Sequence, residues 1–342
     1  MRIAIMTGGG DAPGLNGIIE SASRALLNAG VELVGIHDGF EGIFKGISKQ
    51  IHLADIEGIH SEAGTYLGTS NRSGLAGRET EFIEKFKALG AAGMIVAGGD
   101  GTFSALGLTG NAVPILGVPK TIDNDLQGTE LTFGYDTACS VVAGAVDALR
   151  ASAVAHRRVM IVETMGRTAG WIALGGGLAS YADVILIPER PYSRSQLLDF
   201  VRQRQAEGRR GLMVAVSEGA MAEGESAQVA FRVADSPQAE RFGGVAERLA
   251  RWIETETGWE SRHVVLGHLQ RSEHPTTTDR FLTLSMGVEV ARMALEGRWG
   301  QAVVYRNGAV VRAPLTDVQG PARVVPADHR WVTLAQSLNL FI

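Results

Sequence analysis

The stretch Val113-Pro114-Ile115-Leu116-Gly117-Val118-Pro119-Lys120-Thr121-Ile122-Asp123-Asn124-Asp125 sets the reading of the whole chain. Its first six residues are an apolar run without charge, the pattern of a parallel-sheet strand covered on both faces. Pro119 is expected to end that strand. The polar residues beyond it then project from a strand's carboxyl end, where open α/β sheets place their ligands. Asp123 and Asp125 point the same way if the backbone stays extended, and two such carboxylates call for a nearby cation, a role open to Lys120. An ordinary polar strand-to-helix loop would carry the same residues, so other stretches decide.

Two of them repeat the order strand, glycine turn, helix. Ile3-Ala4-Ile5-Met6 runs into Thr7-Gly8-Gly9-Gly10-Asp11-Ala12-Pro13-Gly14 and a helix over residues 15–27. Met94-Ile95-Val96-Ala97 runs into Gly98-Gly99-Asp100-Gly101-Thr102 and a helix through Ala105-Leu106. Glycines let backbone N–H groups approach phosphate oxygens, and the helix amino end adds a favourable dipole. The spacing matches neither the Rossmann nor the Walker fingerprint, and a plain tight turn is the competing reading. Asp100 would repel bare phosphate but suits an Mg2+ ion that arrives with a nucleotide; capping of the next helix is the alternative. Together the two loops and the Asp pair point to phosphoryl transfer.

Farther along, the small residues Gly64 to Asn71 end in Arg72, a segment able to hold a phosphate from the side or simply solvated. A strand at Val159–Val162, preceded by Arg158, leads to Met165-Gly166-Arg167, whose planar guanidinium suits phosphate oxygens unless it serves an ion pair. Glu218 follows a strand over residues 211–216 and can accept hydrogen bonds from sugar hydroxyls. Residues 219–242 read as a loop or insertion, and Arg262 to Arg271 as a strand with a cation at each end; His268 within it is a core histidine or a sugar donor.

The length of 342 residues favours two domains, and the 44 glycines stand in clusters rather than repeats. A net charge of -5 gives no argument for a nucleic-acid or membrane surface. One cysteine, Cys139, excludes an internal disulfide and fits a reducing cytoplasm. No signal-like start and no uninterrupted apolar segment of about 18 residues is present, so a soluble cytoplasmic protein is expected.

In order, Gly8–Asn16, Gly98–Thr102, Pro119–Asp125, Met165–Arg167 and Leu266–Arg271 closely resemble the motifs of the phosphofructokinase family of bacterial type, over most of the chain. That resemblance implies an α/β fold of two similar Rossmann-like three-layer domains with mostly parallel sheets and a cleft between them. The expected domains are 1–135 with 270–320 for the phosphoryl donor and 136–269 with 321–342 for the sugar phosphate. It implies Mg-dependent transfer of phosphoryl to the 1-hydroxyl of fructose 6-phosphate, a glycolytic step. Asp123 resembles the base, with Thr121 and Ile122 beside it and Asp125 helping to position metal and phosphoryl; Arg167 resembles the transition-state cation. Arg158 and Arg262 match the arginines of the sugar 6-phosphate, commonly given by a neighbouring subunit, so a homodimer or homotetramer is expected. Met165, Gly166, Glu218, His268, Leu269, Gln270 and Arg271 match other sugar-phosphate contacts. Gly10, Arg72, Gly99, Asp100, Gly101 and Thr102 match the nucleotide site, with Asp100 the metal carboxylate.

Gly101 and Lys120 bear on the donor. Pyrophosphate-using members typically carry Asp at the first position and Lys at the second, so Gly101 with Lys120 resembles a mixed subgroup in which ATP is usually the donor; pyrophosphate stays open, as does a related sugar-phosphate kinase, whereas Asp123, Asp125 and Arg167 argue against a catalytically silent sugar-phosphate binder. Three departures stand out: Ser272-Glu273-His274-Pro275 where the family usually has Gly-Gly, which bears on the sugar accepted; Asn71 where an arginine is expected; and Glu20 in place of an effector-binding arginine. Weak or no control by nucleoside diphosphate or phosphoenolpyruvate is therefore expected, and a tight, saturable effect of either on the rate would refute it.

Overall fold

The computed structural model describes residues 1–70, 74–227, 229–232 and 240–342. Its strands are β1 (Arg2–Thr7), β2 (Glu32–Ile36), β3 (Ser48–Gln50), β4 (Met94–Gly98), β5 (Ile115–Pro119), β6 (Val159–Thr164), β7 (Val184–Leu186), β8 (Leu212–Ser217), β9 (Val229–Arg232), β10 (Glu240–Phe242), β11 (Ser261–Val265), β12 (Gln301–Arg306) and β13 (Ala309–Pro314). The chain divides into two compact units. The first contains Met1–Thr137 and Arg271–Ala322; the second contains the described residues of 138–270 and Arg323–Ile342.

In the first unit seven strands lie in the order β13-β12-β5-β4-β1-β2-β3. All neighbours pair in parallel except β3 on β2 and β13 on β12, each antiparallel at an edge. The side chains of β1 alternate between two cores. Ile3 and Ile5 meet Leu15, Ile18 and Met286, while Ala4 and Met6 meet Phe40, Phe82 and Phe103. Burial on both faces explains the bare apolar runs of the sequence. On the first face the helices Leu15–Asn28 and Thr277–Leu295 cross closely, because a Cβ on Gly17 would lie 2.4 Å from the Thr283 hydroxyl and one on Gly287 1.8 Å from that of Ser21.

The second unit has an all-parallel sheet in the order β11-β6-β8-β7 and a separate antiparallel pair, β9 with β10. That pair lies within 219–242, the stretch expected to be a loop or insertion; its strands, of 4 and 3 residues, are too short to show a period-2 pattern. The strand expected from Arg262 to Arg271 ends at Val265, and Leu269–Ser272 is a short helix. Glu163 is buried in β6 because its two oxygens accept the N–H groups of Gly244 (3.1 Å) and Ala246 (2.9 Å), capping the helix Val245–Thr257 with a negative charge.

The helix Tyr135–His156 is long and apolar enough to cross a membrane by composition, yet Asp136, Asp147 and Arg150 interrupt it. Its first turn is anchored by Asp279, whose Oδ2 accepts from the Thr137 N–H at 2.9 Å and the Thr137 hydroxyl at 2.5 Å. Burial raises the Asp279 pKa from 3.8 to about 6, against the pull of those Thr137 bonds. A carboxyl whose pKa is raised by folding binds its proton more tightly in the folded state. Asp279 therefore contributes a loss of stability as pH rises through the interval 3.8 to about 6. Asp279→Asn is expected to remove that share of the slope, measurable by thermal melting across the interval.

Candidate active site

The parallel pairing of β1, β4 and β5 brings three loops to one edge. The Gly8 N–H donates to the Ala97 carbonyl at 2.9 Å and the Lys120 N–H to the Gly98 carbonyl at 2.9 Å, so the ladder continues into the loops themselves. Because β2 lies on one side of β1 and β4 on the other, this edge is where the strand order reverses, the usual ligand crevice of an open sheet.

Within that edge Thr102 packs between two glycines. A Cβ on Gly8 would come within 2.8 Å of its side chain, and one on Gly98 within 2.6 Å. The loop after β1 is held from three directions: the Thr69 hydroxyl donates to the Gly9 carbonyl at 2.5 Å, the Lys120 ammonium donates to the Gly10 carbonyl, and Arg271 donates to the Asp11 carbonyl at 2.5 Å. The segment expected to hold a phosphate from the side thus buttresses the glycine loop through Thr69; Asn71 and Arg72 lie outside the described residues. Gly99 approaches the Lys120 carbonyl, while a Cβ on Gly101 would meet no atom within 4 Å. Asp100 opens the helix Asp100–Gly107, exposed, with the Ser104 hydroxyl 3.2 Å from its Oδ1.

The Asp pair does not sit in extended backbone. Asn124 between the two has φ 52°, a left-handed conformation that asparagine tolerates better than most residues. Its side chain fixes the turn: Oδ1 accepts from the Thr132 N–H at 2.9 Å, and Nδ2 donates to the Glu130 carbonyl at 3.3 Å. The Thr132 hydroxyl also donates to the Thr121 carbonyl at 2.7 Å, and the Asp123 N–H donates to the Thr121 hydroxyl at 3.1 Å. Asp123 and Lys120 are both 3% exposed and Ile122 is buried, whereas Thr121 and Asp125 are half-buried. The reversal at Asn124 thus gives the two carboxylates different surroundings. An Asn between two Asp was the signal for this, hidden by the attention that the acids attract.

In the second unit Met165-Gly166-Arg167 leaves the carboxyl end of β6. Gly166 has φ 137° and Arg167 φ 53°, so the turn is costly and needs external support. Glu218, just past β8, supplies it by accepting the Arg167 N–H at 3.0 Å. Gly219 allows the approach: a Cβ there would lie 1.9 Å from the Arg167 carbonyl oxygen. Next to β6, His268 and Leu269 follow β11, and Gln270, fully buried, donates to the Gly267 carbonyl at 3.1 Å. Arg158 and Arg262 converge on one carboxylate, Glu260, at 2.8 and 2.5 Å.

Two departures from the family pattern have structural work. Glu20 accepts from the N–H groups of Gly58 (3.2 Å) and His60 (2.8 Å) and from Arg24 (2.8 Å). Burial opposes its ionisation, but these bonds outweigh it and hold the carboxyl below its ordinary range. His274 Nδ1 lies 2.8 Å from the Ser61 carbonyl, and since a carbonyl only accepts, Nδ1 carries a proton and donates.

A family model described as Phosphofructokinase matches residues 2–294. An "ATP-dependent 6-phosphofructokinase" of Chloroflexus aggregans is 39% identical over 351 residues, covering 99% of this chain and 97% of that protein. A "Pyrophosphate--fructose 6-phosphate 1-phosphotransferase" of Amycolatopsis methanolica is 40% identical over 335 residues, covering 96% and 97%. Among solved structures, phosphofructokinase from Saccharomyces cerevisiae superposes with a TM-score of 0.81 at 27% identity, over 93% of this chain and 45% of the yeast chain. A pyrophosphate-dependent phosphofructokinase from Marinobacter aquaeolei gives 0.83 at 22% identity, over 100% of this chain and 88% of that one, a likeness of fold. The chain belongs to the phosphofructokinase family.

The close approach at Gly219 generates a test. Gly219→Ala is expected to force the Arg167 turn out of place and to lower stability by about 1–3 kcal/mol, as overpacking does. Chemical denaturation and steady-state kinetics on the same preparation would measure both effects.

Proposed function

We propose that this phosphofructokinase uses ATP as donor and Asp123 as base, carrying phosphoryl to the 1-hydroxyl of fructose 6-phosphate. The observation that carries the reading is the edge where the loops of β1, β4 and β5 meet, with Asp123 in one loop and an open face at Gly101 in another. Asp123 takes the proton of the 1-hydroxyl, the sugar oxygen attacks the γ-phosphorus in line, and the bond to the β–γ bridging oxygen breaks to release ADP.

The N–H groups of Gly10 and of Gly99 to Gly101 are assigned to the donor phosphates, and Lys120 keeps the first of these loops in register with the Asp123 loop through the Gly10 carbonyl. Asp100 is the carboxylate for Mg2+. It fits that ion as an exposed acid at a helix amino end, since Mg2+ is usually held by one or two carboxylates with substrate phosphates and water. When bound, Mg2+ supplies charge neutralisation at the phosphates. Asp125 and Thr121 orient the reacting groups beside Asp123.

The second unit is assigned the sugar phosphate. Arg167 stabilises charge developing on the transferred group, with Met165, Gly166, Glu218, His268, Leu269 and Gln270 around the sugar. Arg158 and Arg262 hold the 6-phosphate, shared between subunits of a homo-oligomer. Their convergence on Glu260 supports the assignment, because two guanidinium groups already meet at one anionic site.

The rival donor is pyrophosphate, favoured by Lys120 and by the name of the Amycolatopsis relative. One assay decides: purified protein with fructose 6-phosphate and Mg2+, given ATP or pyrophosphate, followed by formation of fructose 1,6-bisphosphate. Higher kcat/KM with ATP supports the proposal, preference for pyrophosphate reverses the donor, and no product with either leaves a silent binder. Asp123→Ser is expected to lower kcat by about 10²–10⁴-fold while substrate binding is largely kept.

A further inference from the structure

The matched family region ends at residue 294, yet the later segment Arg323–Ile342 bears directly on the Arg167 turn. Glu189 stands just beyond β7. Its Oε1 accepts the Gly170 N–H at 2.9 Å and the Val325 N–H at 2.8 Å, so one oxygen joins the end of the turn to the C-terminal segment. Its Oε2 lies 3.1 Å from the same Gly170 nitrogen. Burial raises the Glu189 pKa, and the two backbone donors oppose that rise.

The next residue, Trp171, is fastened to the same segment. Its indole N–H donates to the Arg323 carbonyl at 2.7 Å, the Arg323 guanidinium lies 4.4 Å from its ring, and His329 meets that ring edge-on at 5.0 Å. A cavity of about 520 Å³ is lined on one side by Arg167, Thr168 and Glu189 and on the other by Val324–Ala327. The turn from Gly166 to Gly170 is thus held at Arg167 by Glu218 and at Gly170 by Glu189.

We propose that the C-terminal segment is a positioning element for Arg167, acting through Glu189. This rests on the reading of Arg167 as the transition-state cation. A left-handed, non-glycine residue keeps its conformation only when both ends of its turn are fixed, and releasing one end spreads the guanidinium over several placements. A displacement of about 1 Å costs up to about 10²-fold in rate, and it falls on kcat when the contact belongs to the transition state.

The test compares Glu189→Ala, Glu189→Gln and Trp171→Phe with the unaltered chain. Glu189→Ala strands the two N–H donors and is expected to lower kcat about tenfold, with both KM values within about twofold, and to speed amide hydrogen exchange over residues 166–170. Glu189→Gln keeps an oxygen for both donors and should restore kcat and protection. Trp171→Phe keeps the ring, loses the indole donor, and should lower kcat less; it decides the matter if Glu189→Ala does not fold. Unchanged kcat and exchange in a folded Glu189→Ala overturns the proposal, as does Glu189→Gln failing equally. Arg167→Ala separates the two readings. If it turns over normally, the assignment of Arg167 falls and the positioning role with it; if it loses kcat while Glu189→Ala does not, only the positioning role falls.

Discussion

Parallel hydrogen bonding of β1, β4 and β5 is the constraint on which the first unit depends. Three strands that run the same way must end at the same edge, and the bonds from the Gly8 N–H to Ala97 and from the Lys120 N–H to Gly98 carry the pairing past the last apolar residues. Loops separated by some ninety residues of chain are thereby set side by side before any side chain contributes. Lys120, Thr69 and Arg271 then act on carbonyl oxygens of the glycine loop and hold it from three directions. A loop rich in glycine has much conformational entropy to lose, and those three donors offset it.

The second unit solves a similar problem with carboxylates. Glu163 caps a helix, Glu218 holds Arg167, Glu189 holds Gly170 and Val325, and Asp183 accepts the Met213 N–H at 2.9 Å. Each is a carboxyl oxygen accepting a backbone N–H, and losing such an acceptor in a buried place strands the donor at a cost of about 1–3 kcal/mol. Such a bond also fixes geometry, since a carboxylate that serves two N–H groups cannot drift from either. Not every acid at the end of a strand is therefore a candidate chemical group; Glu218 and Glu189 are fasteners of the turn that carries Arg167.

Much of this was legible in the sequence, and for a physical reason. Strands buried on both faces must be apolar without alternation, so β1, β4 and β5 stood out, and Pro119 closed β5 as expected. The helix Leu15–Asn28 began where the glycine turn ended. Less was legible where a residue's role depends on a distant partner. Nothing local in the sequence assigns Asn124 a role; its bonds go to Thr132 and Glu130, eight and six residues on. Gly219 looked like one glycine among many until the Arg167 carbonyl was found against it. The C-terminal residues carry no motif that announces this role, because the hydrogen bonds that tie them to Glu189 and Trp171 use a backbone N–H and a backbone carbonyl.

By itself the sequence determined the α/β class, the phosphofructokinase motifs and the order strand, glycine turn, helix, because local burial and turn chemistry act over a few residues. Only the tertiary structure decided the strand order, the left-handed turn that separates Asp123 from Asp125, and the use of Glu218 and Glu189 as fasteners. Those depend on hydrogen bonds between residues far apart in the chain, and a donor's identity does not reveal which acceptor folding will bring to it.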